Sequence, residues 1–336
     1  MNCLDRFLRV VRQQPVDRAP VIGVTNAVTL DLLREVGTRW PDAHHEPAHM
    51  VRAGAAAHEL CGLESVKVPF DMTVETGALG ADIDYGTENT LPRTRAPLFE
   101  AAAGLRVADD YPTRGRIPTV LEAIRIARRR YGERVPVVSS VVGPFTLCGF
   151  LFGQETLLVW LMSEPEELRA AMAAAARLVA RYVQAQFEAG SHAVQVAEPV
   201  ASGDLISPRQ YAEHVAPFHR ELGRGAGGPL LIHICGNITG HLPHLAGLDF
   251  RGISFDVLTD IRAARSHLKG QRALIGYVPT ALLRDGSPDE VRRAATQCLV
   301  EGVDALNAGC AWPPETPREN IRALIAAATG GAEVRS

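Results

Sequence analysis

His233 and Cys235 stand two residues apart at the end of the apolar run Pro229-Leu230-Leu231-Ile232. Read as a β-strand, that run projects residues two apart to the same side. One imidazole and one thiol therefore face a common point where the strand stops. A second thiol, Cys310, follows another strand-like run near the C-terminus. One nitrogen and two sulfurs suit Zn2+, and three protein ligands leave a fourth position open, which is the pattern of a catalytic site rather than a closed structural one. A thiol entering that open position would be deprotonated at neutral pH. The same His-x-Cys pair can also be plain strand packing, and spacing alone leaves both readings standing.

Three carboxylates, Asp71, Glu198 and Asp256, each close a strand-like run. Gathered at one mouth they could orient a ligand, accept the free N–H of a metal-bound His233, or move a proton. Asp71 and Glu198 are the candidate catalytic pair, with helix capping or a loop ion pair as the competing role. Asp42-Ala43-His44-His45-Glu46 reads as a solvated helix-start loop, and His241 and His244 as surface residues of a helix. Gly223 to Gly228 is glycine-rich but precedes a strand, the wrong order for a phosphate-binding loop.

These groups must be positioned by elements, and the elements alternate. Apolar or β-branched runs occur at 20–24, 65–69, 135–139, 193–196, 230–233, 252–255, 273–276 and 303–307, each followed by a helical pattern. Eight such units predict an α/β fold, a (β/α)8 TIM barrel, with His233 and Cys235 ending its fifth strand and Cys310 just beyond its eighth. Barrel active sites lie at the carboxyl ends of the strands, so ligands distant in sequence would meet there. Ser207-Pro208, Ser287-Pro288 and Thr316-Pro317, each with a polar third residue, read as capped helix starts, and Ser163 with Glu166 as a fourth. Leu4 to about Gln14 reads as an amphipathic helical extension able to plug the barrel's bottom. The stretch from Asp71 to about Arg134 is an insertion after the second strand, holding an extra hairpin strand at 81–85 and covering the mouth. Residues 1–330 are taken as one barrel domain and 331–336 as a flexible tail.

Composition narrows the classes. The chain has 336 residues, a formal net charge of -3 and 46% hydrophobic residues. There is no basic stripe with interleaved aromatics to suit nucleic acid, and no apolar run long enough to span a membrane. The six cysteines are scattered, and no secretory leader precedes them, so a cytoplasmic protein with free thiols is expected. Homo-oligomerisation stays open.

The chain resembles the methylcobalamin:coenzyme M methyltransferase family of the uroporphyrinogen decarboxylase superfamily. The resemblance runs nearly end to end and is carried by Asp17-Arg18-Ala19-Pro20-Val21, Val68-Pro69-Phe70-Asp71-Met72-Thr73-Val74-Glu75, Gly143-Pro144-Phe145-Thr146, Asp204-Leu205-Ile206-Ser207-Pro208, His233-Ile234-Cys235-Gly236-Asn237 and Gly309-Cys310. It implies that His233, Cys235 and Cys310 bind a catalytic zinc, and that an aspartate at Asp71 faces substrate. It further implies a methyl group passing from a methyl-Co(III) corrinoid to a small thiol such as coenzyme M. No corrinoid-binding module is visible, so a separate corrinoid protein is the implied partner. Asp42-x-His44 begins like a cobalamin-binding signature, but Pro47 stands where glycine belongs. The chain departs from the pattern at Thr76-Gly77, at Ala197-Glu198-Pro199 and at Gly276-Tyr277-Val278-Pro279, all near the mouth. Homocysteine or a folate is therefore kept as an alternative acceptor, and a metal that merely braces two loops as a non-enzymatic one. A uroporphyrinogen decarboxylase-type lyase is a further alternative, disfavoured because Thr25-Asn26-Ala27-Val28-Thr29 replaces the arginine-rich segment after the first strand.

Overall fold

The structure is a computed structural model that describes residues 1–330. The expected tail, 331–336, lies outside the described residues. Nine strands form among the described residues: β1 (Val66–Lys67), β2 (Ile83–Asp84), β3 (Arg93–Thr94), β4 (Val137–Val142), β5 (Ala193–Ala197), β6 (Leu230–Ile234), β7 (Gly252–Phe255), β8 (Ala273–Val278) and β9 (Ala305–Ala308). Seven make one parallel sheet in the order β1-β4-β5-β6-β7-β8-β9. Their residues are buried almost throughout, as parallel strands covered on both faces require.

The eighth member of the barrel is the segment 20–24, which the sequence marks as the first strand. It makes one parallel bridge, Val21 to Leu306. Ile22 N–H donates to Leu306 O at 2.9 Å, and Leu306 N–H to Pro20 O at 2.9 Å. On its other side Glu64 N–H donates to Val21 O at 2.8 Å, so the segment closes the ring between β9 and the start of β1. It is too short for a full ladder because Pro20 has no N–H to donate.

Two packed regions result. Between sheet and helices lies the large core. Inside the barrel's lower half, Ile22, Val24, Val138, Ala193, Leu231, Ala273, Ile275 and Ala305 form a second cluster with Phe7, Val10 and Val11. The last three come from the N-terminal helix Cys3–Val11, which does plug the bottom. The insertion after β1 contains the hairpin β2–β3, paired antiparallel with Ile83 opposite Thr94. Leu91, Pro92, Arg93 and Thr94 of this hairpin reach the wall of the main cavity.

Helix starts divide. Ser207 and Ser287 make complete capping boxes with Gln210 and Glu290. The other two expected caps fail. Ser163 Oγ donates backwards to Val159 O at 2.9 Å, and the helix Pro165–Ala189 begins after Glu164 without a side-chain cap. Thr316 is one residue too early, since Pro317 occupies the cap of Arg318–Thr329. Among the described residues no single helix is long and apolar enough to cross a membrane.

Candidate active site

β6 carries His233 inward and stops, and the chain turns at Gly236, whose φ is +73°. A side chain there would be strained, and its Cβ would lie 2.1 Å from Asp204 Oδ2. The turn leaves Cys235 beside His233, with Nε2 to Sγ at 3.2 Å. Cys310 follows β9 and brings its Sγ to 3.3 Å from that of Cys235. Thr25 Oγ1 holds the Cys310 carbonyl at 3.0 Å. The donor atoms of His233, Cys235 and Cys310 all lie within 4.8 Å of one another. His233 is buried, and both cysteines are half-buried. The geometry thus joins the three residues that the sequence singles out.

The donor set fits a zinc ion in chemistry and in spacing: one ring nitrogen and two sulfurs converge, on the wall of a cavity of about 470 Å³. His233 Nδ1 lies 3.0 Å from Ser254 Oγ on β7, its register partner across the ladder. That contact fixes the ring so that Nε2 points at the sulfurs. The two thiols compete for a proton. The Cys235 hydrogen bond draws the Cys310 pKa down, against burial and with help from His233. Cys235 is pushed up by the same hydrogen bond and by burial.

Asp71 does reach the cavity wall, but it is not a free base. Its Oδ1 accepts from Arg116 Nη2 at 2.7 Å, from Thr73 N–H at 2.9 Å and from Thr73 Oγ1 at 2.6 Å, while Oδ2 accepts from Arg116 Nη1 at 3.1 Å. Burial raises its pKa, yet Arg116 and His44 hold it well below the usual carboxylate range. His44 is fully buried with Nδ1 3.3 Å from Asp71 Oδ2. This corrects the reading of 42–46 as a solvated loop: it is the helix Trp40–His45, whose inner face carries His44.

Glu198 turns away from the cavity, contrary to the expected catalytic role. Oε1 accepts from Phe145 N–H at 3.1 Å and Oε2 from Thr146 N–H at 2.8 Å, at the N-terminus of the helix Pro144–Phe152. His219 Nε2 lies 2.7 Å from Oε1. All of this is fully buried. Gln195, Ala197 and Pro199 line the cavity, and period-two alternation sends Glu198 to the other side. Asp256 accepts from Val257 N–H at 2.6 Å and Gly236 N–H at 3.4 Å, bracing the turn that follows Cys235. His241 is not a surface residue either. It is fully buried and stacks on Tyr211 with ring centroids 4.6 Å apart, whereas His244 is half-buried.

Sequence reasoning missed Ser254, Arg116 and Lys67. Ser254 and Arg116 become visible only through register and packing. Lys67 left a signal, a charge inside the apolar run Val66-Lys67-Val68.

An α/β barrel whose carboxyl mouth gathers an imidazole and two thiols on a cavity wall defines a barrel built for chemistry on a small molecule. The family model described as uroporphyrinogen decarboxylase (URO-D) matches residues 3–330, and the chain belongs to that family. It is 34% identical over 325 residues to the methylcobamide:CoM methyltransferase MtaA of Methanosarcina barkeri, covering 96% of each chain. It is 31% identical to the methylated-thiol–coenzyme M methyltransferase of Methanosarcina mazei, covering 96% of this chain and 88% of that one. A solved methyltransferase from Methanosarcina mazei superposes with a TM-score of 0.94 at 33% identity, covering 97% of this chain and 98% of the other.

Proposed function

We propose that this protein transfers a methyl group from a methylated corrinoid, carried by a separate protein, to a small thiol seated in the barrel mouth. One observation carries the reading: His233, Cys235 and Cys310 converge on the wall of a cavity that is large enough for a small thiol. The names of the relatives agree with it.

In this reading His233 Nε2, Cys235 Sγ and Cys310 Sγ would hold zinc, which would supply acidification of the incoming thiol. The corrinoid would supply the methyl group as an electrophile. The remaining tasks belong to the chain. Ser254 keeps the His233 ring oriented, and Gly236 with Asp256 keeps Cys235 in place. Phe70, Met72, Leu91 and Phe150 give the cavity an apolar wall that excludes water from the sulfur and orients it. The substrate S–H gives up its proton, sulfur forms the new bond to the methyl carbon, and the bond to the donor breaks with its electron pair going to the donor. Both Asp71 oxygens are occupied by donors and Glu198 faces away, so the proton leaves to solvent through the mouth.

The lyase alternative shares the fold family, but the segment of cavity wall after the first barrel strand carries no cation. After the first barrel strand that wall is Thr25 and Asn26, neither able to pair with a carboxylate as a cation would. The test is a zinc-loaded preparation mixed with methylcobalamin and 2-mercaptoethanesulfonate, followed by visible absorption of the corrinoid. Demethylation that depends on both protein and thiol is expected. Failure with every thiol tried, or decarboxylation of uroporphyrinogen, overturns the reading.

A further inference from the structure

Asp71 lies on the cavity wall with both oxygens taken, and the residue that takes them leads out of the cavity to its roof. Arg116 occupies the N-cap of the helix Ile117–Tyr131 and is 8% exposed. Four hydrogen bonds fix its guanidinium. Nη1 donates to Asp71 Oδ2 at 3.1 Å and to His44 O at 3.2 Å, and Nη2 to Asp71 Oδ1 at 2.7 Å and to Thr73 Oγ1 at 2.8 Å. A planar fork that spends its edge on acceptors keeps its face for an aromatic ring. Tyr85 supplies that ring, with its centroid 5.4 Å from Arg116 Cζ. His45 meets the same ring edge-on, centroids 4.4 Å apart.

Tyr85 directly follows β2, and the other arm of the β2–β3 hairpin carries Leu91, Pro92, Arg93 and Thr94 to the cavity wall. One hairpin therefore both stacks on the buried arginine and roofs the cavity that holds the sulfur cluster. Its other ties are weaker or internal. Glu88 accepts from Arg39 Nη1 at 2.8 Å, but both side chains are exposed, and water competes with such pairs. Arg93 with Asp84 and Arg95 with Asp82 join the hairpin to itself. Thr94 Oγ1 lies 2.9 Å from Thr76 Oγ1 on the helix Val74–Ala78, a single neutral bond. A cation–π contact gains strength when the cation is withdrawn from water, as Arg116 is.

We propose that Arg116 and Tyr85 are positioning residues: Tyr85 seats the hairpin on the face of the Arg116 guanidinium, which Asp71 holds still, and so keeps the roof closed over the bound acceptor. Asp71 then serves the site without touching a proton in the reaction. Its two oxygens set the plane of Arg116, and that plane sets where the roof rests. The effect on the acceptor rests on the thiol-methylation reading above; the clasp itself does not.

The test is hydrogen exchange by mass spectrometry over residues 83–94 of the full chain, in wild type, Tyr85→Phe, Tyr85→Leu and Arg39→Ala. Tyr85→Leu keeps apolar bulk but loses the ring, and the roof amides are expected to exchange about three- to thirtyfold faster. Tyr85→Phe keeps the ring face and should stay close to wild type, as should Arg39→Ala. In steady-state assays with 2-mercaptoethanesulfonate, Tyr85→Leu should raise KM for the thiol by a similar factor, with kcat falling less and zinc content unchanged, and Tyr85→Phe should restore KM. Unchanged exchange in Tyr85→Leu overturns the proposal. So does Tyr85→Phe exchanging as fast as Tyr85→Leu, which would show that the ring face is not the contact. Arg39→Ala loosening the roof as much as Tyr85→Leu would also overturn it, by moving the seat to the hairpin tip. A loosened roof with an unchanged KM would sink the positioning role and leave the transfer reading intact. Failure of wild type to methylate any thiol would sink the transfer reading, while the exchange rates would still decide the clasp.

Discussion

If His233, Cys235 and Cys310 hold zinc as proposed, replacing Cys310 with alanine leaves a two-donor site, too few to hold the ion against solvent. We expect Cys310→Ala to lose bound zinc by elemental analysis and methyl transfer with it, while its circular dichroism stays that of wild type. Full activity in a verified zinc-free Cys310→Ala protein would refute the assignment. Ser254→Ala probes the same centre more gently. All three proposed ligands survive, but the His233 ring loses its tether, and zinc affinity should fall about ten- to a hundredfold in a chelator competition. The meeting of His233 and Cys235 was legible in the sequence because alternation puts residues 233 and 235 on one side whatever the neighbours do. Ser254 was not, because its role depends on which strand lies beside β6 and in which register.

At the scale of elements, two buried carboxylates hold segments together. Glu198 caps the helix Pro144–Phe152, and Glu198→Ala would strand the amides of Phe145 and Thr146. A loss of about 1–3 kcal/mol for each unsatisfied donor is expected in chemical denaturation, with zinc content unchanged. Equal stability with abolished turnover would instead restore the catalytic role. The carboxylate ends a strand, and the sequence shows that much; the same alternation gives Gln195 and Ala197 the inward places and sends Glu198 outward. Glu75, on the short helix Val74–Ala78, accepts from Val142 N–H at 2.7 Å and ties that helix to β4. Burial raises its pKa from 4.5 to about 7. The folded protein therefore keeps a proton that the unfolded chain releases. The stability contribution is full below about pH 4.5 and is lost as pH rises toward 7, by roughly 3 kcal/mol. Glu75→Gln should flatten that decline in urea melts between pH 4.5 and 7.5. An unchanged slope would show that Glu75 is ionised throughout.

For the whole molecule, the N-terminal helix is the stopper. Phe7 is fully buried among the lower barrel residues, and Arg6 pairs with Asp17 at 2.7 Å and with Glu64, which also holds Arg18 at 2.5 Å. Phe7→Ala should destabilise by about 3–5 kcal/mol through the cavity it leaves, with zinc stoichiometry unaltered. Loss of zinc in a still-folded Phe7→Ala protein would mean that the two ends of the barrel are coupled. The barrel itself was legible from eight apolar runs. The failed caps at Ser163 and Thr316 show the limit of such reading: Glu164 and Pro317, each one residue further on, take the N-cap, although Thr316-Pro317 looks the same as the working Ser207-Pro208 and Ser287-Pro288 starts. The same stopper sets the traffic. With its floor corked by Phe7, Val10 and Val11, the cavity has its doorway at the carboxyl mouth, which the β2–β3 hairpin partly overhangs. In the proposed reaction a bulky methyl carrier must stand in that doorway. The small acceptor has to be inside before the carrier arrives, and the methylated product waits until the carrier steps away.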